Sequence, residues 1–347
     1  MKFDLDLEAT ARCNLDCRHC SINVAETDKA SKKRELTAGE IGRLAGEAAA
    51  LGAVRCLITG GEPFLRQDFH ELYQAVLSKG LLVSLSTNAT LVTAEHVRLL
   101  RKFPPREVEV TVFGASRETY ERVTRRPGSF AAFKAGLDRL LGGGVTVRLR
   151  AMALRSNKHE LTAVGDFCRS QSGRAYRFDP HLHLRFDRDE ARNVLIRAER
   201  LSPKEIVRLE RSAPEHCGAF ADVCAAVPPD SAPAGAAAAV RGRFRCGAGR
   251  TGIAVGPSGI LRPCLALHHA DFLYDLRQGS LSDALGRFLP AVLARGSSSP
   301  EPPEKCGTCP VAAFCVRCPA RADLEKGGLD RPADVFCALA EARAEGL

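Results

Sequence analysis

The octet Cys13-Asn14-Leu15-Asp16-Cys17-Arg18-His19-Cys20, a CxxxCxxC stretch directly behind a strand-like run, constrains this chain more than any other segment. Three thiolates in so short a loop can hold three irons of a 4Fe–4S cube. Soft sulfur suits iron, and such clusters ordinarily take four cysteines. No fourth cysteine follows locally, so one iron keeps an open position. A zinc knuckle is the competing reading, but zinc sites favour cysteine pairs closed by a second pair.

Phe3–Glu8 alternates apolar and acidic residues with a period of two and reads as a strand leading into the octet. Further strands are predicted at 54–59, 81–86, 108–112, 145–153 and 175–179. Helices are predicted over 37–51, 68–79, 93–102, 116–123, 129–141, 160–169 and 202–211, with Thr37 and Glu40 forming a capping box. Ser21–Arg34 is polar and basic and reads as a solvated loop. Strand–helix alternation at this rhythm gives parallel β/α units. The chemistry-bearing residues all follow strands, and β/α barrels gather their sites on that face.

At 347 residues there is room for about two domains. The N-terminus has no signal-peptide core, and no apolar run is long enough to span a bilayer. Fourteen cysteines without a secretory signal argue for metal binding in a reducing cytoplasm rather than for disulfides. The net charge of +9 suits solubility or an acidic partner. No basic run with interleaved aromatics points to nucleic acid.

The octet, followed by Gly60-Gly61-Glu62-Pro63 at the second strand end, closely resembles the radical SAM superfamily. The resemblance implies that the open iron chelates the amino and carboxylate groups of S-adenosylmethionine (AdoMet). Reduction by a flavodoxin or ferredoxin would then release a 5′-deoxyadenosyl radical that takes hydrogen from a substrate. Gly60, Gly61, Glu62 and Pro63 would receive the methionyl ammonium, the glycines letting backbone approach the ligand. Ser86 and Asn88 resemble a segment near the ribose, and Ser129 and Arg150 a hydroxyl and a guanidinium that contact the cosubstrate. Phe113 stands where many relatives carry an acid. The implied fold is α/β, a partial (β/α)6 TIM-type barrel.

A second cysteine group begins at Cys246, with four residues between Gly259 and Cys264, then Cys306, Cys309, Cys315, Cys318 and Cys337. It resembles the SPASM domain, which carries two auxiliary iron–sulfur clusters. The usual ending is one residue longer before the position of Cys318. The resemblance assigns Cys306, Cys309, Cys315 and Cys337 to a distal cluster, and Cys246, Cys264 and Cys318 to a nearer one. A zinc ribbon would account for only four of these seven cysteines. The fourth ligand of the nearer cluster stays open, with Cys217 and Cys224 as candidates. Cys56 and Cys168 read as small core residues. The expected division is 1–200 barrel, 201–242 bridge with the low-complexity stretch 228–239, and 243–347 SPASM domain.

SPASM proteins are often maturases of ribosomally made peptides, forming cross-links or thioethers, epimerising or oxidising. The chain starts at the cluster strand, so a separate leader-recognition protein would be needed. A small-molecule enzyme acting on tetrapyrrole side chains in haem or haem d1 formation is the alternative. A bare electron carrier or redox sensor would not need the GGEP loop.

Overall fold

The computed structural model describes residues 2–173, 176–212, 244, 246–297 and 304–346. Six parallel strands lie side by side in chain order: β1 (Phe3–Thr10), β4 (Ala53–Gly60), β5 (Leu82–Thr87), β6 (Glu107–Val112), β7 (Val147–Met152) and β8 (Arg177–Asp179). β2 (Arg12–Cys13) and β3 (Val24–Ala25) form a separate two-stranded parallel pair that brackets the octet's loop. Helices α2 (Ala38–Ala50), α3 (Phe69–Leu77), α4 (Ala94–Lys102), α5 (Arg117–Thr124), α6 (Ser129–Gly142) and α7 (Leu161–Ser172) connect the strands.

Period-two patterning decides which face meets these helices. Leu5, Leu7, Cys56, Ile58, Val83, Leu85, Val108, Val110, Val112, Val147, Leu149 and Ala151 are at most 4% exposed and form one core. Each such large side chain contributes roughly 1.5–3 kcal/mol through its burial. Cys56 and Cys168 belong to this core, as their sequence context suggests. The alternate residues form the inner face and are mostly polar. In register they include Asp6, Leu57, Ser84 and Glu107, then Glu8, Thr59, Ser86, Glu109 and Arg148.

Two helices of the first 212 residues are absent from the sequence expectation, as are the longer helices past residue 243, Leu289–Ser297, Pro319–Lys326 and Asp334–Glu345. α1 (Lys29–Arg34) occupies the end of the expected loop; it buries nothing and starts on Asp28, which accepts from the Ser31 N–H at 2.6 Å. α8 (Glu190–Glu199) precedes α9 (Pro203–Ser212) and returns to the octet. The Thr37–Glu40 capping box forms as expected.

The sheet continues past residue 243. β9 (Gly252–Val255) pairs parallel with β1, and β10 (Ile260–Arg262) and β11 (Tyr274–Asp275) extend it antiparallel to nine strands. Gly259 makes the β9–β10 turn at φ +87°. The cysteine-rich part is thereby stitched onto the edge that β1 would otherwise leave open. Helix Asp334–Glu345 packs its Leu339 and Ala342 against Ile206 and Val207 of α9. Arg188–Asp323 at 2.6 Å and the Arg200–Glu325 pair add charged ties between the two halves. Residues 228–239, Cys217 and Cys224 lie outside the described residues.

On the inner face Asp6 sits between Asp4 and Glu8. Burial first, then those two carboxylates, push it from 3.8 up to about 6. The folded chain therefore keeps a proton that the unfolded chain releases near 3.8. Stability falls as pH rises between about 4 and 6 and remains lowered above. Asp6→Asn is expected to raise Tm by a few degrees at pH 7, on the order of 2 kcal/mol, and to flatten Tm against pH over that window. An unchanged slope would show that Asp6 ionises freely.

Candidate functional site

The octet lies across the carboxyl ends of β1, β4 and β5. Its position is set by backbone hydrogen bonds rather than by its own cysteines. Gly61 N–H donates to Thr10 O at 2.7 Å and Glu62 N–H to Arg12 O at 3.0 Å. A Cβ on Gly60 would meet Thr10 O at 2.2 Å, and one on Gly61 would meet Arg12 O at 2.2 Å. These two glycines admit the backbone of the cluster loop itself, a role beyond the ligand approach expected from sequence. On the other side, Asp16 and Arg18 N–H donate to Thr124 O and Val123 O in the last turn of α5, at 3.1 and 3.0 Å.

Cys13, Cys17 and Cys20 are brought together. Burial, then the Glu62 carboxylate and then the Cys20 thiol, raises Cys13 to about 12. Cys17 is pushed well up by burial and by Cys20, Cys13 and Asp16. Cys20 is raised by burial, against Ile22 and Asn23 N–H groups and the cations Arg185 and Arg192. Leu15 N–H reaches Cys13 Sγ at 3.4 Å, and Asn23 N–H reaches Cys20 Sγ at 3.3 Å. One buried and two half-buried thiols, all raised by burial, suit a cationic iron core, which would hold them as thiolates. Among the described residues no three such side chains converge as ligands of one bare ion. A four-iron cube is larger and binds each thiolate at a different iron.

Glu62 is fully buried. Its Oε1 accepts from Thr87 Oγ1 at 2.8 Å and Phe64 N–H at 3.1 Å, and its Oε2 accepts from Asn88 N–H at 2.8 Å. Burial still pushes it from 4.5 up to about 7. An incoming ammonium would relieve that cost. Pro63 opens the one-turn 3-10 helix that follows and is buried. Asn88 joins the two motifs, its Nδ2 donating to Asn14 Oδ1 at 3.1 Å and lying 3.7 Å from Cys13 Sγ.

The remaining candidates are less open. Ser86 is half-buried on the inner face of β5, opposite Glu109. Ser129, at the start of α6, is 3% exposed and hydrogen-bonds Thr124 Oγ1 at 2.7 Å. Arg150 pairs through Nη1 with Glu109 at 2.7 Å. Phe113, in the acid's place, packs beside the His19 ring at 5.5 Å and presents an apolar surface. Burial holds His19 down at about 4, so it is neutral at pH 7.

Several supports went unread in the sequence. The side chains of Thr10 and Arg12 converge on Glu35, with Arg12 Nε at 2.8 Å. From α8, Arg192 reaches Asp16 at 2.7 Å, while Arg185 donates to Asn23 O and Oδ1 at 3.0 Å. Asn14 Nδ2 donates to Thr90 Oγ1 at 2.8 Å. Only Asn14 and Asn23, polar residues beside the motif cysteines, left a trace that sequence reasoning could follow.

The tail cysteines fall into two electrostatic groups. Cys264 feels Cys318 and Cys246. Cys315 feels Cys337, Cys306 and Cys309, and Cys337 feels Cys306 and Cys309. Cys318 caps the helix Pro319–Lys326, and Cys337 lies in Asp334–Glu345.

The family description "Radical SAM superfamily" matches residues 7–168. The chain carries a radical SAM superfamily segment over those residues. Its fold is the partial barrel of such enzymes with a C-terminal cysteine-rich region of SPASM type. The structure superposes on Streptococcus suis SuiB bound to precursor peptide SuiA with a TM-score of 0.73 and 15% identity, over 97% of this chain and 76% of that one. anSMEcpe with bound AdoMet gives 0.70 and 13%, over 99% and 96%, and the same protein was also solved with the Cp18Cys peptide. In sequence, the AdoMet-dependent heme synthase of Methanosarcina barkeri is 31% identical over 169 residues, 49% of this chain and 48% of that protein. That match spans about half the length of the curated relative. No helix among the described residues is long and apolar enough to cross a membrane.

Proposed function

We propose that the chain is a radical SAM maturase of a peptide substrate, working in the cytoplasm with a flavodoxin or ferredoxin reductant. AdoMet and the reduced cluster, when bound, supply a hydrogen-abstracting radical. Cys13, Cys17 and Cys20 hold that cluster. Glu62, fixed by Thr87 and Asn88, faces the cosubstrate ammonium. Arg150 keeps its second Nη for the carboxylate while Glu109 holds the first. The cysteines at 306, 309, 315 and 337, and those at 246, 264 and 318, hold two auxiliary clusters that accept an electron or bind substrate. The three-part division at 200 and 243 belongs to the same reading.

The observation that carries the peptide reading is the chemistry of the inner face. Glu107–Arg148 at 3.0 Å, Glu109–Arg150 at 2.7 Å and the Glu8–Arg262 pair line it, with Asp6 alongside. Paired charges of both signs suit the alternating donors and acceptors of a peptide. A flat tetrapyrrole wants a broad apolar slot, and Leu57 and Met152 are the apolar residues of this face in the registers of β4 and β7. SuiB and anSMEcpe were both solved with peptides, which points the same way.

The test is anaerobic turnover with dithionite and AdoMet, offering short peptides encoded beside the gene and, separately, iron-coproporphyrin. A peptide mass change coupled to 5′-deoxyadenosine, with the porphyrin untouched, is expected. Porphyrin modification without peptide modification would overturn the reading. Reconstituted protein should also approach about twelve irons per chain, the content of three four-iron clusters; four irons, or zinc in the tail, would remove the auxiliary clusters.

A further inference from the structure

Tyr120 of α5 is fully buried, its ring stacked on Phe133 at 4.8 Å and set against Phe113 at 5.5 Å and Phe130 at 5.6 Å. Its hydroxyl nevertheless has no hydrogen-bond partner among the described residues. A buried tyrosine hydroxyl ordinarily finds a partner, and leaving it without one costs about 1–3 kcal/mol. Phenylalanine would fill this aromatic cluster without that cost. The hydroxyl therefore calls for an acceptor that the described residues do not supply.

Its surroundings say where that acceptor lies. The last turn of α5, which begins at Tyr120, holds the octet by accepting from Asp16 and Arg18 N–H, the residues on either side of Cys17. The charged groups that bear on the phenol are Cys17, Glu62 and Cys13, in that order. Glu62 already has three donors. Cys13 and Cys20 accept backbone N–H from Leu15 and Asn23, whereas Cys17 draws only on its own backbone among the described residues. Cys17 thus lies in the stretch of the octet that α5 holds, and the Phe113 ring touches both Tyr120 and His19 of that stretch.

We propose that the Tyr120 hydroxyl donates a hydrogen bond to a sulfur on the Cys17 side of the cluster held by Cys13, Cys17 and Cys20, and thereby raises the cluster's reduction potential. The proposal rests on reading the octet as the cluster site. Reduction adds negative charge to the sulfurs, so a donor aimed at them favours the reduced form, and hydrogen bonds to sulfur are among the levers on cluster potential. In the backbone hydrogen bonds between α5 and the octet the helix supplies carbonyls and no donors.

The experiment is an EPR-monitored redox titration of anaerobically reconstituted full chain without AdoMet, following the signal that AdoMet perturbs. Tyr120→Phe should load the same iron. Its reduced-to-oxidised ratio at a fixed potential should fall about tenfold, equivalent to 59 mV for one electron. Replacing Tyr120 by 3,5-difluorotyrosine, a stronger donor, should shift the potential the opposite way and decides the matter if Tyr120→Phe fails to fold. The apo-protein carrying Tyr120→Phe should melt no lower than the parent, because its hydroxyl has nothing to lose there. Equal potentials at equal iron content would overturn the proposal while leaving the cluster reading intact. So would an unchanged potential with weakened AdoMet affinity, which would put the hydroxyl on the cosubstrate. Failure of the parent chain to build a cluster at the octet would overturn both.

Discussion

Cys17→Ala is expected to abolish dithionite-driven formation of 5′-deoxyadenosine, by about a thousandfold or more, a barrier increase of ~4 kcal/mol or greater. Cys17 is the most enclosed of the three octet thiols, bracketed by the Asp16 and Arg18 hydrogen bonds to α5. Alanine there removes a ligand that neither core cysteine can replace. Cys56 lies on the core face of β4 at 0% exposure, and Cys168 is equally buried within α7. Cys309→Ala should behave differently. Cys309 belongs to the group with Cys306, Cys315 and Cys337, far along the chain from the octet. Slow AdoMet cleavage should survive there, while coupled substrate turnover is lost. Both variants are compared by chromatography of 5′-deoxyadenosine with and without peptide. Full cleavage by Cys17→Ala would sink the octet assignment, and full coupled turnover by Cys309→Ala would remove the distal cluster from the reaction.

The barrel was legible in the sequence because its strands alternate so regularly. All six parallel strands stand within two residues or so of their expected limits, and the Thr37–Glu40 box needed only local spacing. The short cysteine spacings of the octet and of Cys306 to Cys318 are local information of the same kind, whereas the placing of Cys246, Cys264 and Cys337 in groups rests on the resemblance. What escaped depends on contacts between distant residues. Arg192 reads as one more arginine of a polar helix until α8 lays it on Asp16, 176 residues earlier. Glu35 looks like the end of a basic loop and becomes the partner of Thr10 and Arg12. β9 to β11 were missed as sheet members because strands of two to four residues carry too little periodicity. Their pairing with β1 is decided by an edge that only the folded barrel exposes.

Gly61→Ala is the other substitution with a large expected effect, and it separates two reasons for a glycine. The added Cβ would sit 2.2 Å from Arg12 O and 2.7 Å from Ala11 O. Both are backbone atoms, so no side chain can rotate away. Relief requires β2 to move off the end of β4, breaking Gly61 N–H to Thr10 O and Glu62 N–H to Arg12 O and carrying Cys13 with it. Overpacking costs about 1–3 kcal/mol, and each lost backbone hydrogen bond adds about 0.5–1.5 kcal/mol. The expected destabilisation is therefore roughly 3 kcal/mol or more, with iron binding at the octet impaired. Gly80→Ala is the control. Gly80 has φ +77° with nothing within 4 Å of where a Cβ would sit, so only backbone strain of about 1–2 kcal/mol applies, and no cluster residue moves. Denaturant melts of the apo-protein and iron content after reconstitution distinguish the two variants. If Gly61→Ala loses no more stability than Gly80→Ala and loads the octet normally, the glycine serves the cosubstrate alone. A steep loss of both stability and iron would instead show that the GGEP loop holds the cluster loop in place before any ligand arrives.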